Sequence, residues 1–227
     1  MGSIAELISN IGKKALIASN TLRIANTDAK NNALLNIAAA IQENKQTILD
    51  ANSLDIEIAK KNNTDSALLD RLMLNDDRLE SVVEGLNQIV LLNDPIGGVS
   101  ELKTRPSGIK IGKMMVPLGV IGMIYESRPN VTIDAAALCI KSGNAVILRG
   151  GSEAINSNMA FYSCIKKGLK QAGLDPNSVQ LIEITDREAV TELVKANDYV
   201  DAIIPRGGKG LINCLLYTSP SPRDEVL

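Results

Sequence analysis

From Ala5 to about Ser19 the apolar residues Leu7, Ile8, Ile11, Ala15 and Leu16 recur at intervals of three and four. After the cap Thr27-Asp28 the same spacing returns at Leu34, Leu35, Ala38 and Ile41. Positions so spaced lie on one stripe of a helix, so both segments read as amphipathic helices that bury one face. The pattern predicts three more helices: Lys45 to Lys61, Ser66 to Leu72, and a segment holding Leu79, Val82, Val83, Leu86 and Val90 behind the cap Asn75-Asp76-Asp77. Residues 1–98 thus read as a helical layer, ended by Asp94-Pro95 and Gly97-Gly98. Val99 to Arg105 and Ile109 to Met115 then flank Pro106-Ser107-Gly108 as a β-hairpin, with charged faces that suggest an exposed ribbon over 99–115. Such a ribbon either merely connects or takes part in contacts between subunits.

At Val116 the pattern changes. Near-continuous apolar runs, Val120 to Tyr125, Ala145 to Leu148, Val179 to Ile184 and Val200 to Ile204, alternate with helical segments at Val131 to Ser142, Glu153 to Ala172 and Arg187 to Ala196. A strand with no polar alternation needs cover on both faces. Residues 116–213 therefore read as an α/β unit: a Rossmann-like parallel sheet with helices on both faces and right-handed crossovers.

Composition narrows the chemistry. The 227 residues are 45% hydrophobic, enough for a substantial core. A net charge of -2 with interspersed signs offers no basic stripe for a nucleic-acid backbone. No run approaches about 18 apolar residues, so no membrane span is expected, and Met1 to Glu6 lacks the features of a leader. A cytoplasmic protein is the expectation. Histidine is absent, and Cys139, Cys164 and Cys214 show no CxxC spacing, so neither a metal site nor a Ser-His-Asp or Cys-His mechanism is expected. Cys139 and Cys164 sit in apolar helical segments and read as inert core residues. With no Trp and one Phe, a bound nucleotide would rest on backbone and aliphatic contacts rather than between stacked rings.

In an open parallel sheet, ligands bind beyond the carboxyl ends of the strands, so the turns there carry the candidate chemistry. Glu126-Ser127-Arg128-Pro129-Asn130 follows the first strand. Pro129 suits the opening of a helix, which leaves Arg128 and Asn130 at a helix N-terminus that favours anions, with Asn130 able to donate to an oxyanion. An ordinary proline-initiated helix accounts for the same residues. Arg149-Gly150-Gly151-Ser152-Glu153 follows the second strand, offering close backbone approach and an arginine fork for phosphate. Pro205-Arg206-Gly207-Gly208-Lys209-Gly210 follows the fourth. Two glycine-rich basic turns on one sheet edge suggest a polyphosphate ligand, although neither is a GxGxxG or a GxxxxGK[ST] and short glycine turns also serve as plain connectors.

Val116 to Thr132, which contains Tyr125-Glu-Ser-Arg-Pro-Asn130, followed by Lys141 to Ser152 and Asp201 to Leu211, closely resembles the gamma-glutamyl phosphate reductases of the aldehyde dehydrogenase superfamily. The likeness reaches back more loosely through Asp70-Arg71-Leu72 and the N-terminal helices. It implies an aldehyde dehydrogenase-like fold and NADPH-dependent reduction of L-glutamyl 5-phosphate to glutamate 5-semialdehyde in proline biosynthesis. In that chemistry a cysteine thiolate displaces phosphate and hydride reduces the thioester. By resemblance, Asn130 is the oxyanion donor, Arg149 lies where a basic residue meets the adenosine ribose or its 2′-phosphate, and Gly150, Gly151 and Ser152 of the same turn are cofactor-binding. Gly207, Gly208 and Lys209, with Arg206 beside them, lie at the pyrophosphate. A homo-oligomer and glutamate 5-kinase are the implied partners.

Residues 214–227 depart from the family. Cys214-Leu-Leu-Tyr-Thr-Ser-Pro-Ser-Pro-Arg-Asp224 resembles the in-frame translation of a sequencing-library adapter and is expected to be non-native, Cys214 included. The nucleophilic cysteine and the catalytic domain of the family are then missing. The chain is expected to be an N-terminal, cofactor-binding fragment without turnover; the reductase half of a bifunctional kinase-reductase is the further alternative, against which Met1 stands directly before a helix.

Overall fold

In the computed structural model, which describes residues 3–212, most helices begin where a polar side chain takes up N–H groups that the first turn leaves unpaired. Helix α1 (Ile4–Leu22) opens on a capping box: the Ser3 hydroxyl accepts from the Glu6 amide and the Glu6 carboxylate accepts from the Ser3 amide. Helix α2 (Thr27–Glu43) is capped by Asn26, whose Oδ1 accepts from Ala29 N at 2.8 Å, so the cap stands one residue before the expected Thr27-Asp28. Helices α3 (Lys45–Lys61) and α4 (Ser66–Leu72) have the predicted bounds, and α5 (Asp76–Leu91) follows its Asn75 cap. Strands β1 (Val99–Thr104) and β2 (Lys110–Met114) pair antiparallel as a ribbon exposed at every residue.

Strands β3 (Val120–Tyr125), β4 (Ala145–Arg149), β5 (Val179–Leu181) and β6 (Ala202–Arg206) form one parallel sheet in the order β5-β4-β3-β6. The crossovers are α6 (Asn130–Lys141), α7 (Ile155–Gln171) and α8 (Glu188–Lys195). Strand β5 is shorter than its apolar run: Ile182 still donates to the Leu148 carbonyl, but β4 ends at Arg149 and leaves nothing to ladder against. Strand β6 begins two residues later than expected and runs through Pro205 to Arg206. Among the described residues it pairs with β3 alone, and a strand with one free side tolerates a residue without N–H.

The helical N-terminus does not form one layer. Ile8, Ile11 and Ala15 of α1 pack with α8 residues Ala189 and Leu193 on one face of the sheet, against Val120, Ile124, Ala145 and Ile147. Helices α2, α5, α6 and α7 cover the other face, around Ile37, Ile41, Leu86, Ile133, Ile140 and Phe161. Periodicity marks a buried stripe on each helix but not which side of a sheet receives it, so this division lay beyond the pattern. At the α2–α7 crossing a Cβ on Gly168 would lie 2.7 Å from the Ile37 backbone nitrogen, which fixes glycine there.

Polar cross-links tie these layers together. Lys30 of α2, 2% exposed, meets Asp94 at 2.5 Å, and Lys141 of α6 donates to the Val90 carbonyl and Asn31 Oδ1. Asn52 of α3 accepts from Leu74 N and donates to the Leu72 carbonyl and Ser157 Oγ. The Asp55 carboxylate, 1% exposed, accepts four hydrogen bonds from the start of α7: Asn156 N and Nδ2 on one oxygen, Ser157 N and Oγ on the other. Helix α7 has no side-chain cap from its own sequence; α3 supplies one.

Two outcomes are expected. Asp55→Ala leaves these buried donors unmatched and lowers unfolding free energy by about 3 kcal/mol, read from chemical denaturation. Burial alone would push the Asp94 carboxyl up, but hydrogen bonds from Lys30, Ile96 N and Thr27 Oγ more than offset it and hold it below the ordinary carboxylate value. A depressed folded value stabilises the protein above the unfolded value and loses that contribution as pH falls through the folded one. The stability gap between the native chain and Asp94→Asn is therefore constant above about pH 5 and shrinks below about pH 4, in denaturation curves taken across pH.

Candidate functional site

The register of the sheet brings three turns to one edge. Ile124 of β3 lies beside Arg149 of β4, and Tyr125 beside Arg206 of β6, so the turns after these strands leave the sheet side by side with that of β3 in the middle. Two residues of the central turn bind the outer ones. Ser127, with φ at 38°, donates from both its amide and its hydroxyl to Glu153 Oε1, each at 2.6 Å. On the other side Glu126 Oε2 accepts from Gly208 N at 3.0 Å.

The glycines are where neighbours come too close for a side chain. A Cβ on Gly150 would strike the Asn158 amide and approach the Tyr125 ring to 3.1 Å, and one on Gly207 would lie 2.6 Å from Glu126 Oε2 and 2.7 Å from Leu211. A Cβ on Gly151 would first meet the movable carboxylate of Glu153. Ser152 opens the short 3-10 turn Ser152–Ala154. Lys209 stands exposed at the head of the helical residues after β6, and Arg206 is half-exposed, 4.0 Å from Asp134.

Arg149 is placed differently from an open fork. It is 7% exposed, and its Nη atoms donate to the carbonyls of Gly150, Thr185 and, at 3.4 Å, Asp186; Nε has no partner among the described residues. As the last residue of β4 it clamps its own turn to the loop after β5. Burial lowers its affinity for a proton, with Glu153 opposing. A second buried donor lacks a partner close by. The Tyr125 hydroxyl and Thr132 Oγ are 2.7 Å apart, Thr132 donates to Asn158 Oδ1, and Asn158 Nδ2 is left over. Burial pushes the Tyr125 hydroxyl well above its ordinary value, so it keeps its proton.

Asn130 is the first residue of α6. Its Nδ2 donates to Asp134 Oδ2 at 3.2 Å, one turn on, which fixes the carboxamide and leaves its second N–H for another acceptor. Burial raises the Asp134 carboxyl, with Arg206 and Asn130 working against it. Asn130 lines a cavity of about 350 Å³ with Arg71, Arg78, Arg128 and Asp134. A second cavity of about 390 Å³ shares Arg71 and Arg128 and adds Glu126, Ser127, Arg206 and Gly207.

Sequence reasoning assigned no role to Glu126, Ser127, Glu153, Asn158, Asp134 or the arginines of α4 and α5. The four-residue spacing of Asn130 and Asp134 was a usable signal; the bridges from Glu126 and Ser127, each to a turn distant in sequence, had none. Cys139 and Cys164 are buried, and burial pushes their thiols up to about 12 and about 11, so neither is a nucleophile at neutral pH. Cys214 and the rest of 213–227 lie outside the described residues. Among those residues no helix is long and apolar enough to cross a membrane, and no cluster of side chains could hold a metal ion.

No family model matches the chain. It is 59% identical over 222 residues to the gamma-glutamyl phosphate reductase of Ruthia magnifica subsp. Calyptogena magnifica, covering 98% of this chain and 53% of that protein. To the same enzyme of Psychrobacter arcticus it is 56% identical over 209 residues, 92% of this chain and 49% of the other. The crystal structure of gamma-glutamyl phosphate reductase from Thermotoga maritima superposes with a TM-score of 0.92 at 41% identity, over 95% of this chain and 52% of that one. A probable aldehyde dehydrogenase from Listeria monocytogenes, at 15% identity and TM-score 0.71 over 96% of this chain and 45% of that one, shares the fold alone. The chain spans about half the length of the curated relatives it matches. Along nearly all of its own residues, then, this chain is homologous to about half of a gamma-glutamyl phosphate reductase and has the α/β fold of that enzyme.

Proposed function

We propose that this chain is the cofactor-binding part of an NADPH-dependent reductase. The reductase converts L-glutamyl 5-phosphate to L-glutamate 5-semialdehyde, with release of phosphate, in proline biosynthesis in the cytoplasm. One observation carries the reading: in a chain 59% identical to such an enzyme, Asn130 and two glycine turns meet at the carboxyl edge of a parallel sheet and are laced into one surface by Glu126 and Ser127. The donor set fits a dinucleotide. Gly208 N already holds an anionic carboxylate oxygen, Gly150 and Gly207 leave the backbone bare, and the buried Arg149 Nε and Asn158 Nδ2 have unused donor capacity.

In this reading Gly150, Gly151 and Ser152, with Arg149 behind them, hold the adenosine end, while Gly207, Gly208 and Lys209, with Arg206 beside them, hold the pyrophosphate. Glu126 gives up its place on Gly208 N to a phosphate oxygen, since two anions cannot share one amide. When bound, NADPH supplies hydride. The free N–H of Asn130 then donates to the acyl oxygen as negative charge develops there, and Asp134 keeps the carboxamide from rotating away. Neither Cys139 nor Cys164 can take part, which favours a second reading for the chain by itself: it binds nucleotide without turnover.

Titration of the purified chain with NADPH, followed by the fluorescence of the reduced nicotinamide, should show saturable binding. Replacing Arg206 and Lys209 together by Ala should weaken it by about tenfold, the loss expected for charge-assisted phosphate contacts. With L-glutamyl 5-phosphate generated in situ, the chain should consume no NADPH. Absence of saturable binding would overturn the cofactor reading, and turnover would overturn the reading of the chain as one that binds nucleotide without turnover.

A further inference from the structure

The two cavities at the sheet edge carry an imbalance of charge. Every carboxylate that lines them is engaged. Asp70 pairs with Arg78 at 2.8 Å, Asp134 accepts from Asn130 and lies 4.0 Å from Arg206, and Glu126 accepts from Gly208 N. Two of the four lining arginines are thereby accounted for, and Arg78 also donates to the Met73 and Asp70 carbonyls. Arg71 and Arg128 are different. Among the described residues neither has a carboxylate within 4.0 Å or any side-chain hydrogen bond, both are exposed, and both line the two cavities. Arg71 comes from the last turn of α4 and Arg128 from the turn after β3, so the fold brings two unneutralised forks to one place from segments that share no sequence neighbourhood.

A lone exposed arginine carries little meaning, because surface guanidinium groups are commonly unpaired. Two lining the same pair of cavities, beside Asn130, are suited to a planar or tetrahedral oxyanion that accepts two parallel N–H bonds from each. The volumes, about 350 and 390 Å³, are within the range of small-molecule sites. We propose that Arg71 and Arg128 form an anion-recognition subsite that selects substrates bearing a carboxylate or phosphate group and seats the reacting carbonyl beside Asn130. This rests on the reductase reading for the role of Asn130, while the subsite itself depends only on the two arginines. Phosphate oxygens and an amino-acid carboxylate offer the same acceptor chemistry, and the probes separate them.

The test uses the 227-residue chain and two probes, inorganic phosphate and L-glutamate, each titrated by calorimetry and by backbone amide shifts, with NADPH titrated separately. Saturable binding of at least one probe is expected, with shifts at Arg71, Arg128 and Asn130. Arg71→Gln or Arg128→Gln should weaken it by about tenfold and the double variant should abolish it, while Lys at either position restores part of the affinity through charge without the fork. Arg105→Gln, on the exposed ribbon, should change nothing. Binding of phosphate alone assigns the pair to the phosphate end of the substrate, and binding of glutamate alone to the carboxylate end. If neither probe binds, or the double variant binds as tightly as the native chain, the proposal is overturned. Arginine-dependent anion binding with no NADPH binding leaves the subsite standing and removes the cofactor reading.

Discussion

The placement of the site depends on a carboxylate that never reaches it. Asp55 projects from α3 into the first turn of α7 and accepts four hydrogen bonds from Asn156 and Ser157, doing from another helix what the residues before α7 cannot. The turn from Arg149 to Ala154 runs directly into that first turn, so its path is set at one end by β4 and at the other by Asp55. Asn52, one turn earlier on α3, reaches Ser157 as well and holds the segment after α4 through Leu72 and Leu74. Arg71 therefore belongs to a segment anchored by the same helix that anchors the glycine turn.

From that anchor, order passes across the sheet edge. Glu153, fixed close to the start of α7, receives both donors of Ser127, and this pins the central turn in a left-handed conformation that a serine does not adopt unaided. Glu126, the residue before, reaches the opposite way to Gly208. Three turns that the chain visits far apart thus become one surface through two adjacent side chains. The chemistry proposed for Asn130 depends on the same construction, because Asn130 begins the helix into which the pinned turn runs.

The sequence made the element order and the sheet legible for identifiable reasons. Val120 to Tyr125 and Ala145 to Arg149 lie buried with hardly a break, as a doubly covered strand must, and their runs marked them. Helix α3 was found to the residue because its apolar stripe starts and stops inside clear polar borders. The assignment of α1 to the far side of the sheet was hidden, because Ile8 and Ile37 follow the same rule of spacing and only tertiary contact separates them. At the site, Asn130 and the glycine turns were visible as residue types after strands. The inward turn of Arg149 was not, since its partners are backbone carbonyls of Thr185 and Asp186, which any residues there would present. Nor could Arg71 be tied to Arg128 without the packing of α4 beside the sheet edge.

The ring of Tyr125 lies under the Gly150 turn, 2% exposed and without a charged group on its hydroxyl. The chain has no tryptophan and only four tyrosines, so the ultraviolet emission of the protein comes from very few rings. One of them is embedded in the floor of the candidate site. The molecule thus contains its own optical reporter: any rearrangement of the glycine turn changes the surroundings of this ring, and the signal has no brighter chromophore above it to mask the change.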